Sequence, residues 1–178
     1  LYESIAAGGL CVASAGNDSK ENTENTDWSS YDTDNILAVA ATGFTDGLID
    51  VSNYGATTVD VGAPGEFILS TIPGSEYEVM RGTSMAAPHV AGLAALIWSL
   101  KPDLPWADVK AAILNGVDLV PALAAKTVSR GRINAYKSLA SLFPHVVSSD
   151  PEEDEILADP RVMNFTVTIN EDVDEATI

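Results

Sequence analysis

The sequence predicts an α/β fold with a mostly parallel sheet. Three observations predict it. Short, largely apolar runs at residues 10–13, 36–41, 59–65 and 67–71 each stop at Ser, Thr or Pro-Gly. Runs apolar throughout, such as 10–13 and 36–41, suit strands buried on both faces. After them stand helical patterns: one apolar all round at 84–100, and amphipathic ones at 106–115 and 132–142.

Taken in order, residues 1–7 read as the end of a helix that Gly8 and Gly9 terminate. The run at 10–13 follows as a buried strand and includes Cys11, read as a small buried residue. Ser14-Ala15-Gly16-Asn17-Asp18 forms the turn after it. Residues 18–35 are polar and acidic, a surface loop by composition. Its Asn22, Asn25, Asp27, Asp32 and Asp34 offer oxygen ligands for a structural calcium ion, but no ligand spacing specifies one, and a solvated acidic loop explains them as well. The strand at 36–41 precedes a hairpin-type turn at Asp46-Gly47. The strands at 59–65 and 67–71 end in Pro64-Gly65 and Pro73-Gly74. After the apolar helix, Pro105 opens the next one, in which Trp106, Val109, Ala112 and Ile113 form an inward stripe and Asn115-Gly116 a stop. In the helix at 132–142, Ile133, Tyr136, Leu139 and Ala140 are expected inward.

The chemistry centres on Arg81-Gly82-Thr83-Ser84-Met85-Ala86-Ala87-Pro88-His89-Val90-Ala91-Gly92. Gly82 permits a tight turn and Thr83 is a candidate helix cap. A helix apolar all round is expected to be buried on all sides, with Ala87, Ala91, Gly92 and Ala95 admitting close neighbours. Pro88 cannot bond back to the Ser84 carbonyl and is expected to bend the first turn. Ser84 therefore stands at the positive end of a helix, where N–H groups and the helix dipole stabilise a nearby oxyanion. Alone, Gly-Thr-Ser reads as an ordinary helix start. Asn17 lies just beyond the carboxyl end of a strand, where ligands of open parallel sheets sit and a carboxamide can donate to developing negative charge. Alone, it reads as a turn residue after Gly16.

The twelve-residue string closely resembles the nucleophile motif of the subtilisin-like serine proteases, the subtilases, which reads Gly-Thr-Ser-Met-Ala-x-Pro-His-Val-Ala-Gly. The chain matches every specified position. Ala15-Gly16-Asn17, Ser52-Asn53-Tyr54-Gly55, Ala63-Pro64-Gly65 and Leu69-Ser70-Thr71 resemble further segments of that family, as does Gly131-Arg132-Ile133-Asn134-Ala135 in its closing helix. The resemblance covers about residues 1–143 and implies the C-terminal part of a three-layer subtilisin-like catalytic domain. It implies Ser84 as nucleophile, Asn17 in the oxyanion hole, and Ser14, Ala15 and Gly16 in the wall of the specificity pocket. It puts Gly82 and Thr83 beside the substrate and gives His89 a structural role. It implies no cofactor for the chemistry, with structural calcium at surface loops in some members.

Serine proteolysis also needs a base and an acid that orients it. The only histidines are His89 and His145, and neither lies in the family's histidine motif. The aspartate motif is missing too. In the family's order both partners precede the serine, so they are expected before Leu1, and the chain alone is expected to be inactive. The upstream part of its own catalytic domain is then a required partner. The leading reading is a secreted serine endopeptidase acting on protein or peptide substrates. The alternatives are a non-catalytic binding or surface module with the same fold, and an acidic linker or cell-surface element.

Composition narrows the partners. The formal charge of −17 argues against nucleic acid and anionic membranes. No membrane span is expected, because Pro88 and His89 interrupt the one long apolar stretch. Residues 144–178 carry ten acids against one base, so they form a different kind of segment. Residues 144–160 read as an acidic linker. Residues 161–178 read as the start of a β-rich module, weakly similar to an immunoglobulin-like one, since Met163, Phe165, Val167 and Ile169 alternate with polar residues.

Overall fold

The structure is a computed structural model that describes residues 9–23, 29, 33–143, 146–150 and 166–169, the last two stretches as backbone. The helix end expected at 1–7 and most of the acidic loop's candidate calcium ligands lie outside these residues. The chain divides into two compact units, Leu1–Leu139 and Ala140–Ile178.

The first unit is built on a five-stranded sheet in the order β1-β2-β3-β7-β6. Its strands are β1 (Cys11–Ser14), β2 (Ile36–Thr42), β3 (Val61–Pro64), β6 (Asp118–Leu119) and β7 (Gly131–Arg132). β1, β2, β3 and β7 run parallel, and only β6 joins antiparallel. This confirms the expected mostly parallel sheet. β2 is buried along its whole length, which is why its seven residues Ile-Leu-Ala-Val-Ala-Ala-Thr lack the alternation of a half-exposed strand. Cys11 is half-buried rather than buried, yet burial still pushes its thiol pKa up.

Helix α1 (Thr83–Leu100) packs across β1, β2 and β3 and against α2 (Trp106–Asn115). It differs from expectation in two ways. It is buried on one face only, through Thr83, Ala86, Val90, Leu93, Ala94 and Ile97. Ala91, Gly92 and Ala95 face outward, and a Cβ at Gly92 would meet nothing. Length and composition alone would also let this helix cross a membrane, but its inner face is committed to the sheet. The helix runs unbroken through Pro88. Its N-cap is Gly82, so Thr83 is the first helical residue and not a cap.

Strand β4 (Ile68–Ile72) pairs antiparallel with β5 (Glu76–Met80) in a separate hairpin. β4 begins one residue later than expected because Phe67 adopts a positive φ of 54° and stacks on Phe44. The Asp46-Gly47 turn forms as read, with Gly43 N–H donating to Gly47 O at 2.9 Å. Helix α2 buries Val109, Ala112 and Ile113 as expected, while Trp106 is half-buried and donates no stripe residue to the fully buried set. Gly116 ends the helix with φ −85°, so left-handed freedom is not its use. A Cβ there would lie 2.6 Å from the Ser138 nitrogen. That contact also explains helix α3 (Ala135–Ala140): Ser138 faces inward, and Tyr136 is 80% exposed, opposite to the expected pattern.

In the second unit, β8 (Val146–Asp150) pairs antiparallel with β9 (Thr166–Ile169). β9 falls inside the strand read at 162–170. β8 falls inside the stretch whose acidic, Pro-containing composition reads as a linker: the apolar Val146 and Val147 at its start precede the charges and suit a strand.

One buried ion pair fastens α2 to the sheet. Lys110 Nζ lies 3.4 Å from Asp60 Oδ1, and both side chains are largely buried. Asp60 also accepts the Ala38 N–H at 2.7 Å, and Lys110 donates to Asp34 O and Ile36 O. Burial raises the Asp60 pKa, against the opposing pull of Lys110 and the Ala38 N–H. The folded state therefore holds that proton more tightly than the unfolded chain, and stability from this group falls as pH rises from the carboxyl's ordinary range through its raised pKa. Lys110→Met removes the lowering influence and leaves a buried carboxylate unpaired. We expect it to cost about 3 kcal/mol at neutral pH, measured by urea denaturation, and to recover much of that at pH 4.

Candidate active site

The carboxyl ends of parallel strands β1, β2 and β3 point the same way, and the loops that follow them meet the start of α1. Gly65, just after β3, accepts the Gly82 N–H at 2.8 Å. Gly82 has φ 138°, a conformation in which a side chain is strained, and a Cβ there would press on the Asn17 carboxamide at 3.2 Å. Glycine thus lets the turn after β1 lie directly over the turn before α1.

The contact is specific. Asn17 Oδ1 accepts from Thr83 N at 2.9 Å and from Thr83 Oγ1 at 3.1 Å. The Thr83 hydroxyl in turn accepts the Gly16 N–H at 3.2 Å. Thr83 is completely buried, and this three-part relay gives its hydroxyl both a donor and an acceptor partner. The cap of α1 comes from a residue 66 positions earlier instead of from its own turn. With Oδ1 committed, Nδ2 is the end of the carboxamide left to donate outward.

Ser84 follows on the exposed side of the first turn. The N–H groups of Met85 and Ala86 bond back to Gly82 O, and that of Thr83 goes to Asn17. No acceptor among the described residues takes the Ser84 N–H, one of the orphan donors of a helix start. The exposed Ser84 hydroxyl and its N–H thus stand directly after the threonine that Asn17 caps. The Ser84 side opens onto a groove of about 370 Å³ between the β4–β5 hairpin and α1, lined by Ile68, Ser70, Met80, Met85, Pro88 and His89.

His89 lines the same groove as Ser84. Its Nδ1 lies 2.9 Å from Met85 O on its own helix, and a carbonyl only accepts, so Nδ1 carries the proton. Among the described residues no group of three or more His, Cys, Asp and Glu is placed to hold a metal.

Of the residues expected in the pocket wall, Ala15 is buried and Ser14 and Gly16 are half-buried. They and Gly82 bring backbone to the site more than side chain. Two participants escape the sequence. Asn53 is wholly buried and bonds to Ala15, Asp18, Lys20 and Asn22, while Asn22 is tied to the Ala15 carbonyl instead of standing in solvent as a candidate calcium ligand. The only signal for Asn53 was its place in Ser-Asn-Tyr-Gly. Asn22 had no signal that separates it from the polar residues around it.

The first turn of α1 thus carries an exposed serine beside a threonine that a strand-end carboxamide caps. The model of the subtilase family matches residues 1–139, and the chain belongs to that family. It is 42% identical over 132 residues to a thermophilic serine proteinase of Bacillus sp. (strain AK1), covering 74% of this chain and 31% of that protein. It is 41% identical over 132 residues to thermitase of Thermoactinomyces vulgaris, covering 74% of this chain and 44% of that protein. The solved structure of the prenylagaramide maturation protease PagA aligns with TM-score 0.63 at 30% identity, over 75% of this chain and 50% of that one. The chain thus spans less than half the length of these two curated relatives.

Proposed function

We propose that the protein carrying this chain is a secreted serine endopeptidase that cleaves protein or peptide substrates through an acyl-enzyme. The observation that carries the reading is that the Asn17 carboxamide caps the helix start at which the exposed Ser84 stands. Ser84 attacks the scissile carbonyl and gives its proton to a histidine outside this chain. Asn17 Nδ2 and the Ser84 N–H hold the oxyanion as it forms. The amine leaves with that proton, and water then hydrolyses the ester on Ser84.

The required partner is the upstream part of the same catalytic domain, which supplies the base and its orienting acid. On this reading the general base for Ser84 lies outside the chain, and activity is expected only within the whole protein. The chemistry needs no cofactor, and a structural calcium ion bound at the acidic loop would act on stability only. The family membership and relatives named as serine proteinases support this reading. The test is hydrolysis of a casein or peptide-anilide substrate by the full-length protein. Turnover that phenylmethanesulfonyl fluoride abolishes is expected. No turnover from folded, full-length protein across such substrates would contradict the proposal and favour a binding module.

A further inference from the structure

Asn17 is exposed, and an exposed turn residue is poorly placed to hold an oxyanion donor still. Its neighbours on both sides are held by one other residue. The Asn53 peptide N–H donates to Gly16 O at 2.9 Å, immediately before Asn17. Asn53 Oδ1 accepts the N–H of Asp18 at 2.8 Å, immediately after it, and of Lys20 at 3.3 Å. Asn53 Nδ2 donates to Ala15 O at 3.2 Å and to Asn22 Oδ1 at 3.0 Å. Asn22 Nδ2 donates to the same Ala15 carbonyl at 2.7 Å. Both donors and both acceptor positions of the buried Asn53 carboxamide are thus used.

The support continues into the sheet. Ser52 Oγ donates to Asn53 O at 2.9 Å and accepts the N–H of Ala41, in β2, at 3.0 Å. The path runs from the most buried strand through Ser52 and Asn53 to the backbone on either side of Asn17. Gly16 fits the same design. Its φ is 106°, and a Cβ there would sit 2.5 Å from Asn53 Nδ2, so the amide occupies the space that a side chain would need. A satisfied buried network of this kind fixes one geometry, and leaving a member unpaired is costly.

We infer that Asn53, braced by Asn22, is a positioning residue for the oxyanion donor: it sets the turn that aims the Asn17 carboxamide at Thr83 on one end and at the oxyanion on the other. The inference rests on the proposed peptidase reading for its catalytic consequence, but its structural consequence stands apart from it. Asn53→Asp keeps the shape and the acceptor for Asp18 and Lys20. It replaces the donor with an oxygen that faces the Ala15 carbonyl and Asn22 Oδ1.

The test is a double-mutant cycle in the full-length protein between Asn53→Asp and Asn17→Ala, with hydrogen exchange of the Thr83 amide read alongside. Asn53→Asp is expected to lower kcat about 10–100-fold, the scale for a misplacement of roughly 1 Å, with KM changed less than about threefold. In the Asn17→Ala background the same change is expected to lower kcat less than about threefold, since its route of action is gone. Thr83 N–H exchange should speed up about tenfold or more in Asn53→Asp, because that amide is bonded to Asn17. An equal kcat loss in both backgrounds, an unchanged kcat, or unchanged Thr83 exchange would overturn the inference. Should Asn53→Asp not fold, Asn22→Ala enters the same cycle with the same criteria, since it removes only the brace. Should the unmutated protein show no peptidase activity, the proposed function fails and the Thr83 exchange alone decides the positioning role.

Discussion

Ser84→Ala in the full-length protein is expected to abolish peptide hydrolysis while leaving the fold intact. The Ser84 side chain is exposed at the first turn of α1, outside the buried stripe that holds the helix to the sheet. Removing one exposed oxygen there takes nothing from the core, and alanine is the better helix former. Thermal stability should stay within about 0.5 kcal/mol of the parent, the range of an exposed substitution. Activity should fall by about 10⁶ in kcat, the loss known for the corresponding serine of subtilisin itself. The pair of readings matters. A stable, inactive variant assigns Ser84 to chemistry. A variant that is stable and still active would mean that hydrolysis runs through another residue.

The second large effect is at Asn17, and it separates two roles of one side chain. Asn17 Oδ1 caps α1 through Thr83, and Nδ2 is the proposed oxyanion donor. Asn17→Ala removes both and leaves the buried Thr83 N–H and hydroxyl short of an acceptor, which should cost about 1–3 kcal/mol in stability. Asn17→Asp keeps both acceptor bonds, and the positive end of the helix favours its negative charge. Its stability should match or exceed that of the parent. Yet it replaces the donor with an anion where the oxyanion must form. Both variants are expected to lose at least about 10²–10³ in kcat, the figure established for this same asparagine in subtilisin, with KM little changed. Chemical denaturation and steady-state kinetics on the two variants check this. An Asn17→Asp protein with near-normal kcat would remove Asn17 from the oxyanion hole and leave it a capping residue.

Much of this site was legible in the sequence because its parts are contiguous. The string around Ser84 fixes a turn, a helix start and a hydroxyl in one stretch, and a helix needs only local bonds to place them. Asn17 was legible for the same reason, as the turn that must follow a buried strand. The β2 strand was legible because a fully buried parallel strand needs an unbroken apolar run.

The remainder depended on partners far away in the chain. Thr83 looks like a cap by composition, but the acceptor that serves α1 is the carboxamide of Asn17. Asn53 lies 38 residues from the carbonyl that it holds, and an asparagine in a turn looks the same whether it faces water or a buried carbonyl. Ser138 faces inward and Tyr136 outward because Gly116 leaves room for the serine, a contact that no periodicity in 132–142 encodes. The outer face of α1 was misread for a related reason. Its small apolar residues show what that face can accept, and the described chain leaves it uncovered.

The most direct test of the central claim is covalent labelling with a fluorophosphonate, read by intact mass. Three proteins are compared: the full-length protein, its Ser84→Ala variant, and the 178-residue chain alone. Such a reagent forms a stable adduct only with a serine whose proton an adjacent base removes. A single adduct on the full-length protein, absent from Ser84→Ala and from the isolated chain, is the predicted result. It would make Ser84 an activated nucleophile completed by residues outside this chain. A folded full-length protein that takes no label, or that takes it equally in Ser84→Ala, would contradict the account.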